Sequence, residues 1–277
     1  MRDNRAMTLS NAAAPWRPTR FLRGSAALHA AALAGVAIGP EFWPWALGAV
    51  AANQAAILAG GLLPRSRLLG PNWTRLPERA AARREVALSL DDGPDPDVTP
   101  RVLALLAERG ARATFFCIGE RAVRHPELVR SIAAAGHAVE NHSLRHRHDF
   151  ALLGPRRYVE EIGSAQNTLA ALAGSAPCFF RAPAGLRNPF LDLALTRLGL
   201  QLVSWTRRGY DTRNADAADV LARLTRGLAP GDILLLHDGH AMRDATDAPV
   251  LLEVLPRLLD ALAAAQLRPV TLRAALD

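Results

Sequence analysis

The sequence predicts an α/β fold, in which a mostly parallel sheet is covered by helices and is preceded by a hydrophobic helical hairpin. About seven short apolar runs of strand length alternate with segments whose apolar residues recur at helical spacing. The apolar runs are continuous rather than alternating, which is typical of parallel strands that are covered on both faces. A barrel or a doubly wound sheet fits this pattern.

The predicted elements follow one another without an internal repeat. The predicted strands lie at 86–90, 113–119, 137–143, 177–183, 200–205, 231–239 and 267–272. The predicted helices lie at 99–110, 125–137, 155–174, 188–199, 216–228 and 248–266. The first of these helices has Pro100 in its first turn and Gly110 at its end, where these two residue types are favoured.

The chain divides into four segments by composition. These are a polar tail at 1–24, a hydrophobic segment at 25–63, a linker rich in Pro and Arg at 64–84, and the main domain at 85–277. Two uncharged runs, 25–39 and 46–63, are short to borderline for membrane spans, and Phe42, Trp43 and Trp45 between them resemble an interfacial aromatic belt. We expect a membrane hairpin or two short spans; the alternative is a water-soluble, Ala-rich hairpin.

The arginines that flank the hydrophobic segment favour one orientation in a bacterial inner membrane. Arg17, Arg20 and Arg23 precede the first run, Arg65 and Arg67 follow the second, and the connecting turn has no arginine. The positive-inside rule therefore places the main domain on the cytoplasmic side. If the first run is instead a signal-type segment, the domain is periplasmic.

The charge distribution argues against a nucleic-acid partner, although the net charge is +7. The 84 N-terminal residues contain 11 Arg and 3 acidic residues, whereas the rest of the chain contains 22 Arg and 23 acidic residues. The folded domain is thus electrically balanced, and no basic surface for tracking phosphates is expected.

Polar side chains with catalytic potential follow five of the predicted strands. They are Asp91, Asp92, His142, His146, Arg181, Trp205, Asp211 and His237. Because the carboxyl ends of parallel strands meet at one edge, we expect these residues to surround one site.

Two of these histidines and the acidic pair suggest a metal centre. His142 and His146 are four residues apart, and two histidines with one carboxylate form a three-ligand site for Zn²⁺ or a similar divalent ion. Of the adjacent Asp91 and Asp92, one would bind the metal ion and the other would accept a proton from a water molecule. The His-x-x-x-His spacing alone would fit two solvated histidines equally well.

The main domain resembles the polysaccharide deacetylase family with the NodB homology domain, which is carbohydrate esterase family 4. Five motifs occur in the order typical of that family, over 85–277: "SLDDGP", "HSLRH", "RAPAG", the segment around "SWTRRGYD", and "LLLH". The resemblance implies a distorted (β/α)7 barrel and a hydrolase of carbon–nitrogen amide bonds.

The resemblance also implies a role for each matching residue. Asp91 would be the general base; Asp92, His142 and His146 would hold one divalent metal ion, Zn²⁺ or a similar ion such as Co²⁺. Arg181 would orient Asp91, Asp211 would support the Arg or His network, and His237 would protonate the leaving amine. Leu235 would line the substrate pocket, and the backbone N–H near Ala184 would contact the oxyanion. Independently of the resemblance, Trp205 at a strand end is expected in the wall of the substrate pocket, and the alternative is a core position.

The leading hypothesis is a metal-dependent enzyme that removes N-acetyl groups from amino sugars in a poly- or oligosaccharide and is attached to the membrane through residues 25–63. The alternatives are a deacylase or deformylase of a lipid-linked amino sugar, and a non-catalytic carbohydrate-binding membrane protein. Three departures from the family pattern concern the substrate groove: Ala184 replaces a common Tyr, Thr206 a common acid, and Thr212 a common Trp.

Overall fold

The computed structural model describes residues 15–277, and it begins with two long antiparallel helices. Helix α1 spans Arg20–Ile38 and helix α2 spans Trp43–Leu62, joined by a 3₁₀ turn at Pro40–Phe42. Most of the predicted polar tail, residues 1–14, lies outside the described residues. Both helices are long and apolar enough to cross a membrane, and little of either is buried.

Polar side chains of the hairpin contact each other across the helix pair. Asn53 Nδ2 donates a hydrogen bond to Ser25 Oγ at 2.8 Å, and Gln54 Nε2 lies 3.1 Å from His29 Nε2. His29 Nδ1 lies 2.7 Å from the carbonyl oxygen of Ser25. These contacts pair polar side chains across the two helices, as is common between helices in an apolar environment.

The chain at 64–84 lies against the main domain. Leu69 and Asn72 are buried, and the Trp73 N–H donates to the carbonyl of Leu202 at 2.9 Å. The short helix α3, Glu78–Ala82, leads into the first strand, and Ala80 on it is fully buried.

Within residues 15–277 the main domain contains eight parallel strands. They are β1 Glu85–Asp91, β2 Thr114–Cys117, β3 Ala138–Asn141, β4 Phe179–Phe180, β5 Gln201–Leu202, β6 Arg207–Arg208, β7 Ile233–His237 and β8 Arg268–Val270. Their order across the curled sheet is β5-β4-β3-β2-β1-β7-β6, and β8 pairs with β1. The sheet is an open barrel, since β5 and β6 form its two edges.

Seven helices cover the sheet. They are α4 Thr99–Glu108, α5 Gly119–Arg124, α6 Pro126–Ala134, α7 Pro155–Ala173, α8 Phe190–Leu198, α9 Ala217–Thr225 and α10 Val250–Ala264. The α/β prediction with a helical hairpin is confirmed, and all seven predicted strands are present: the first is longer than predicted, and the other six are shorter. The structure adds β6 and the short helices α3 and α5, whose few residues carry no apolar periodicity.

Strand β1 is the centre of the sheet and positions the site. All seven of its residues are buried, because it is paired on both sides and covered by helices. Its register places Asp91 beside Phe116 of β2 and beside His237 of β7. The residues that follow Asp91 and His237 therefore emerge next to each other at the carboxyl edge.

Candidate active site

The pocket at the carboxyl edge of the sheet brings the predicted site residues together. Eight of the ten line it: Asp91, Asp92, His142, His146, Ala184, Trp205, Leu235 and His237. The other two, Arg181 and Asp211, are buried directly behind this lining and contact Asp91 and His237.

Asp92, His142 and His146 form a compact set of metal-ligating groups. His142 Nε2 and His146 Nε2 lie 3.1 Å and 3.2 Å from Asp92 Oδ1. One ligand atom from each residue lies within 4.8 Å of the other two. Asp92 and His146 both adopt left-handed backbone conformations, with φ of 71° and 50°, which turn their side chains toward one another.

The chemistry of this set fits a divalent cation. His142 Nδ1 donates to the carbonyl oxygen of Arg181 at 2.8 Å, so in the neutral ring Nε2 carries a lone pair. That lone pair faces Asp92 Oδ1, a buried oxygen without a hydrogen-bond donor among the described residues. Two facing acceptors repel unless a proton or a cation lies between them, and two imidazoles with one carboxylate are ligands that Zn²⁺ accepts.

The pKa values of this set show that a positive charge is favoured between Asp92 and His142. Burial opposes the imidazolium of His142, but Asp91 and Asp92 outweigh burial and raise the pKa of His142. Burial opposes the charge of Asp92, but contacts with His142 and His240 outweigh it and hold the pKa of Asp92 well below its usual range. Burial, together with the charge of His142, lowers the pKa of His146 to about 4. At neutral pH Asp92 is therefore an anion and His146 is neutral, the forms in which both residues bind metal ions.

Asp91 is held by a buried arginine. Arg181 Nη1 lies 2.6 Å from Asp91 Oδ1 and donates to Ser89 Oγ at 2.9 Å. The remaining nitrogens of Arg181 donate to the carbonyls of Val203 and Ser204. Arg181 thus holds Asp91 with its side chain and His142 with its carbonyl oxygen. The contribution of Ser89 could not be seen in the sequence, because a serine within a buried strand carries no distinctive signal.

His237 is oriented by Asp211. His237 Nδ1 and its backbone N–H lie 2.8 Å and 2.7 Å from the two carboxylate oxygens of Asp211. Nδ1 therefore carries a proton, and Nε2 is the ring nitrogen available to the pocket. Burial disfavours the imidazolium, but the Asp211 carboxylate and the nearby acids outweigh it and raise the pKa of His237. The sequence left open whether Asp211 supports an arginine or a histidine; in the structure it contacts His237.

Replacing Asp211 with asparagine is expected to move the alkaline limb of the pH–activity profile to lower pH by about one to three units. A histidine that donates a proton is active below its pKa, and loss of a carboxylate at this distance lowers that pKa. Rates of amide hydrolysis measured from pH 5 to pH 10 test this. Asp260→Asn, an exposed change on α10, serves as the matched control. An unmoved alkaline limb in Asp211→Asn would show that the Asp211–His237 pair does not set it.

His240, which lines the pocket, contacts the carboxylate of Asp92. Its Nδ1 lies 3.2 Å from Asp92 Oδ2, and Arg121 Nη2 donates to its Nε2 at 2.7 Å. An arginine always donates, so Nδ1 of His240 carries the proton that points at Asp92. His240 therefore fixes the second oxygen of the Asp92 carboxylate.

Asp238, next to His237, is buried beneath the loop that follows β1. Its Oδ2 accepts a hydrogen bond from Thr99 Oγ1 at 2.6 Å, and its Oδ1 has no partner among the described residues. The Cβ of any side chain at Gly93 would lie 2.2 Å from Asp238 Oδ2, so this loop requires glycine. Burial raises the pKa of Asp238 to about 7, and the carboxyl group is neutral below that pH.

Asp238→Asn is expected to flatten the pH dependence of stability. The ordinary pKa is 3.8 and the folded value is about 7, so the stabilisation from this proton is complete below pH 3.8 and lost as the pH rises through 7. That difference corresponds to about 4 kcal/mol of unfolding free energy over the whole range, of which about 3 kcal/mol is lost between pH 5 and pH 8. Urea unfolding at these two pH values measures that loss, with Asp260→Asn as control. Equal pH dependence in wild type and Asp238→Asn would contradict the neutral carboxyl.

One wall of the pocket, next to Ala184 and Trp205, carries two arginine side chains. Ala184 adopts φ 53° within the turn Pro183–Gly185 and lines the pocket beside Trp205. Arg208 and Arg213 line the same wall. Thr206, which the sequence marked as a departure, instead supports the fold, since its Oγ1 donates to the carbonyl of Thr74 and accepts from the Ile233 N–H.

Comparisons with known proteins agree with this site. The family model described as "Polysaccharide deacetylase" matches residues 78–203. A chitooligosaccharide deacetylase of Bradyrhizobium sp. is 34% identical over 60% of this chain and 77% of its own length. A solved peptidoglycan N-acetylglucosamine deacetylase, in complex with an N-oxidanyl-benzamide, is 30% identical with a TM-score of 0.66, covering 74% of this chain and 92% of the other. A family 4 carbohydrate esterase from Streptomyces lividans, in complex with acetate, is 34% identical with a TM-score of 0.60, covering 67% and 91%.

Proposed function

The chain belongs to the polysaccharide deacetylase family, whose members hydrolyse N-acetyl amide bonds, and on that basis we propose that it removes acetyl groups from N-acetylated amino sugars in a metal-dependent reaction. The single observation that supports this most strongly is the meeting of three groups in one pocket: Asp91, the set Asp92–His142–His146, and the Asp211-supported His237.

The metal ion of this proposal is held by Asp92, His142 and His146. Zn²⁺ is the first choice because two imidazoles and one carboxylate leave an open coordination position, and Co²⁺ is an alternative. When bound, a divalent ion supplies a Lewis acid that lowers the pKa of water and polarises the amide carbonyl.

Asp91 is the general base of the proposal. It accepts a proton from the water molecule that attacks the acetyl carbonyl carbon, and the contact with Arg181 Nη1 orients its carboxylate. Asp91 Oδ2 lies 3.9 Å from His142 Nε2, so the base adjoins the metal-ligating set without belonging to it.

His237 is the general acid. Hydrolysis breaks the bond between the carbonyl carbon and the sugar nitrogen, and the amine departs only when that nitrogen gains a proton. Nε2 of His237 delivers it, and Asp211 stabilises the imidazolium that precedes the transfer. The products are acetate and the free amino sugar. The Ala184 N–H would donate to the oxyanion, and Leu235 and Trp205 would enclose the acetyl methyl group.

The direct test is metal-dependent release of acetate by the purified full chain. Zn²⁺-loaded protein is incubated with N-acetylated chitooligosaccharide and with peptidoglycan fragments, and acetate and new amines are quantified. Release from at least one substrate, loss on chelation and recovery with Zn²⁺ or Co²⁺ are expected. An N-hydroxybenzamide is expected to inhibit, since such groups chelate metal ions. If no N-acetyl sugar is hydrolysed with any metal ion, the proposed deacetylase function is wrong.

We also propose that residues 25–63 anchor the protein in a bacterial membrane with the barrel on the cytoplasmic side. The support is the apolar hairpin, with exposed Trp43 and Trp45 at its turn and arginines at its opposite end. Reporter fusions placed after Arg84 test the side. An active periplasmic reporter at that position would reverse the orientation, and a soluble full-length chain would rule out the anchor.

A further inference from the structure

We propose that the amino sugar enters the pocket while it is attached through a phosphate or pyrophosphate to a membrane lipid, with the phosphate bound by Arg208 and Arg213. This inference deepens the proposed deacetylase function and rests on it. Two independent features of the structure support it: the pocket adjoins the end of the apolar hairpin, and its wall carries two arginines that have no carboxylate partner among residues 15–277.

The first feature is the contact between the hairpin and the pocket wall. Helix α2 ends at Leu62, and two residues later Pro64 packs so closely against Gly185 that an added Cβ there would lie 2.7 Å from Pro64 Cβ and 2.7 Å from the Trp205 ring. Ser204 Oγ donates to the Pro64 carbonyl at 2.5 Å, and the Arg187 N–H donates to the Gly61 carbonyl at 3.1 Å. Gly185 and Trp205 both line the pocket.

These contacts place the pocket at the depth of the lipid headgroups. Helix α2 has 20 residues and is about 30 Å long, which matches the hydrocarbon core of a bilayer. Pro64 lies at most about 7 Å beyond the end of the helix, and the headgroup layer on each side is about 5–7 Å thick. The phosphate of a lipid-linked sugar lies in that same layer.

The second feature is the charge of the pocket wall next to Trp205. The Arg208 guanidinium lies 5.3 Å from the centre of the Trp205 ring and 5.1 Å from that of Tyr210, which hold it in one orientation. Its buried Nε has no hydrogen-bond acceptor among the described residues.

Arg213 lines the same pocket and is exposed. Over residues 15–277, neither Arg208 nor Arg213 lies within ion-pair distance of a carboxylate, whereas the pocket acid Asp91 is paired with Arg181. Arg65, three residues after α2, extends the cationic surface toward the membrane, with its Nη1 donating to the Thr206 carbonyl.

Phosphate is the anion that suits this arrangement. A planar guanidinium close to two aromatic rings can donate two parallel hydrogen bonds to a phosphate, and a second arginine that lines the same pocket adds a further charge-assisted contact. A carboxylate of a polymer would satisfy the same charges, but a polymer does not require a pocket that adjoins the membrane anchor. The location therefore favours a lipid phosphate.

The experiment compares N-acetyl sugars that differ only in what they are attached to. The Zn²⁺-loaded full chain is reconstituted in phosphatidylcholine vesicles and given N-acetylglucosamine on a polyprenyl pyrophosphate, soluble uridine diphosphate N-acetylglucosamine, chitotetraose, or a soluble peptidoglycan fragment. We expect kcat/KM for the lipid-linked sugar to exceed that for chitotetraose by at least about 100-fold. Arg208→Gln and Arg213→Gln are each expected to lower that ratio by about 10-fold or more.

Controls separate this inference from the proposed function. Arg130→Gln, on the exposed surface of α6, should leave the ratio unchanged. In detergent micelles, where the hairpin contributes no selective binding, calorimetry should show that the inactive Asp91→Asn chain binds the lipid-linked sugar and that adding Arg208→Gln abolishes this binding, a readout that does not need catalysis. Hydrolysis of chitotetraose with no preference for the lipid-linked sugar would overturn the inference and leave the deacetylase function intact.

The other outcomes identify a different substrate. Equal rates on the soluble nucleotide sugar would keep the phosphate contact but overturn the lipid, and a preference for the peptidoglycan fragment that depends on Arg208 would overturn both. Absence of hydrolysis on all four substrates, with binding of the lipid-linked sugar retained, would overturn the deacetylase function instead.

Discussion

Asp91→Asn is expected to reduce acetate release by at least about 1,000-fold, because asparagine cannot accept a proton from the attacking water. Asparagine keeps the size of the side chain and an oxygen that accepts from Arg181, so the pocket should retain its shape. The buried charge of Arg181 loses its counterion, however, and some loss of stability is expected. The measurement is acetate release at saturating Zn²⁺, together with a thermal unfolding curve.

Two controls make this result interpretable. Asp97→Asn changes an exposed acid in the loop after β1 and should leave activity unchanged. Zn²⁺ affinity of Asp91→Asn, measured by calorimetry, should stay within a few-fold of wild type, because Asp91 is not among the ligand set. A variant that folds, binds Zn²⁺ and still hydrolyses amides at the wild-type rate would show that another group is the base.

Removal of the metal ion is expected to have the second large effect. A chelator should abolish activity, and added Zn²⁺ should restore it and raise the melting temperature, because an ion that binds only the folded chain stabilises it. His142→Ala should weaken Zn²⁺ binding by more than about 100-fold, since one of three protein ligands is lost. Calorimetry of the chelator-treated protein gives the affinity independently of catalysis.

His125→Ala is the matched histidine control for this prediction. His125 lies between α5 and α6, away from the pocket, and its loss should change neither Zn²⁺ affinity nor activity. Because His142 is fully buried, His146→Gln at a less buried position provides a second ligand variant whose folding is less affected. Undiminished activity after exhaustive chelation would exclude metal-dependent hydrolysis.

The sequence was sufficient to predict the alternation of strands and helices and the position of most site residues. Residues such as Asp91 and His237 directly end apolar runs, and parallel pairing alone brings such positions to one edge. The short strand β6 could not be predicted, because Arg207–Arg208 is a strand through its pairing with β7 and not through its own apolar character. A local sequence pattern reports the conformational preference of each residue, whereas the extended conformation of β6 depends on its pairing with β7.

Contacts between residues that are far apart in the sequence could not be predicted from sequence patterns either. The composition of 64–84 is that of a loop, yet Leu69 and Asn72 are buried because the domain offers them a groove. The choice of His237 as the partner of Asp211, and the contact of His240 with Asp92, depend on side-chain positions that spacing does not specify. Such pairings arise from tertiary packing, so only coordinates reveal them.

The double contact of Arg181 has a consequence for motion within the site. Its guanidinium contacts Asp91 and its carbonyl oxygen accepts from His142, so the proposed general base and a proposed metal ligand are both hydrogen-bonded to one buried residue at the end of β4. A displacement of that strand end therefore acts on both groups at once. We expect their motions to be correlated, which would limit changes in the distance between them while the loops around the pocket move.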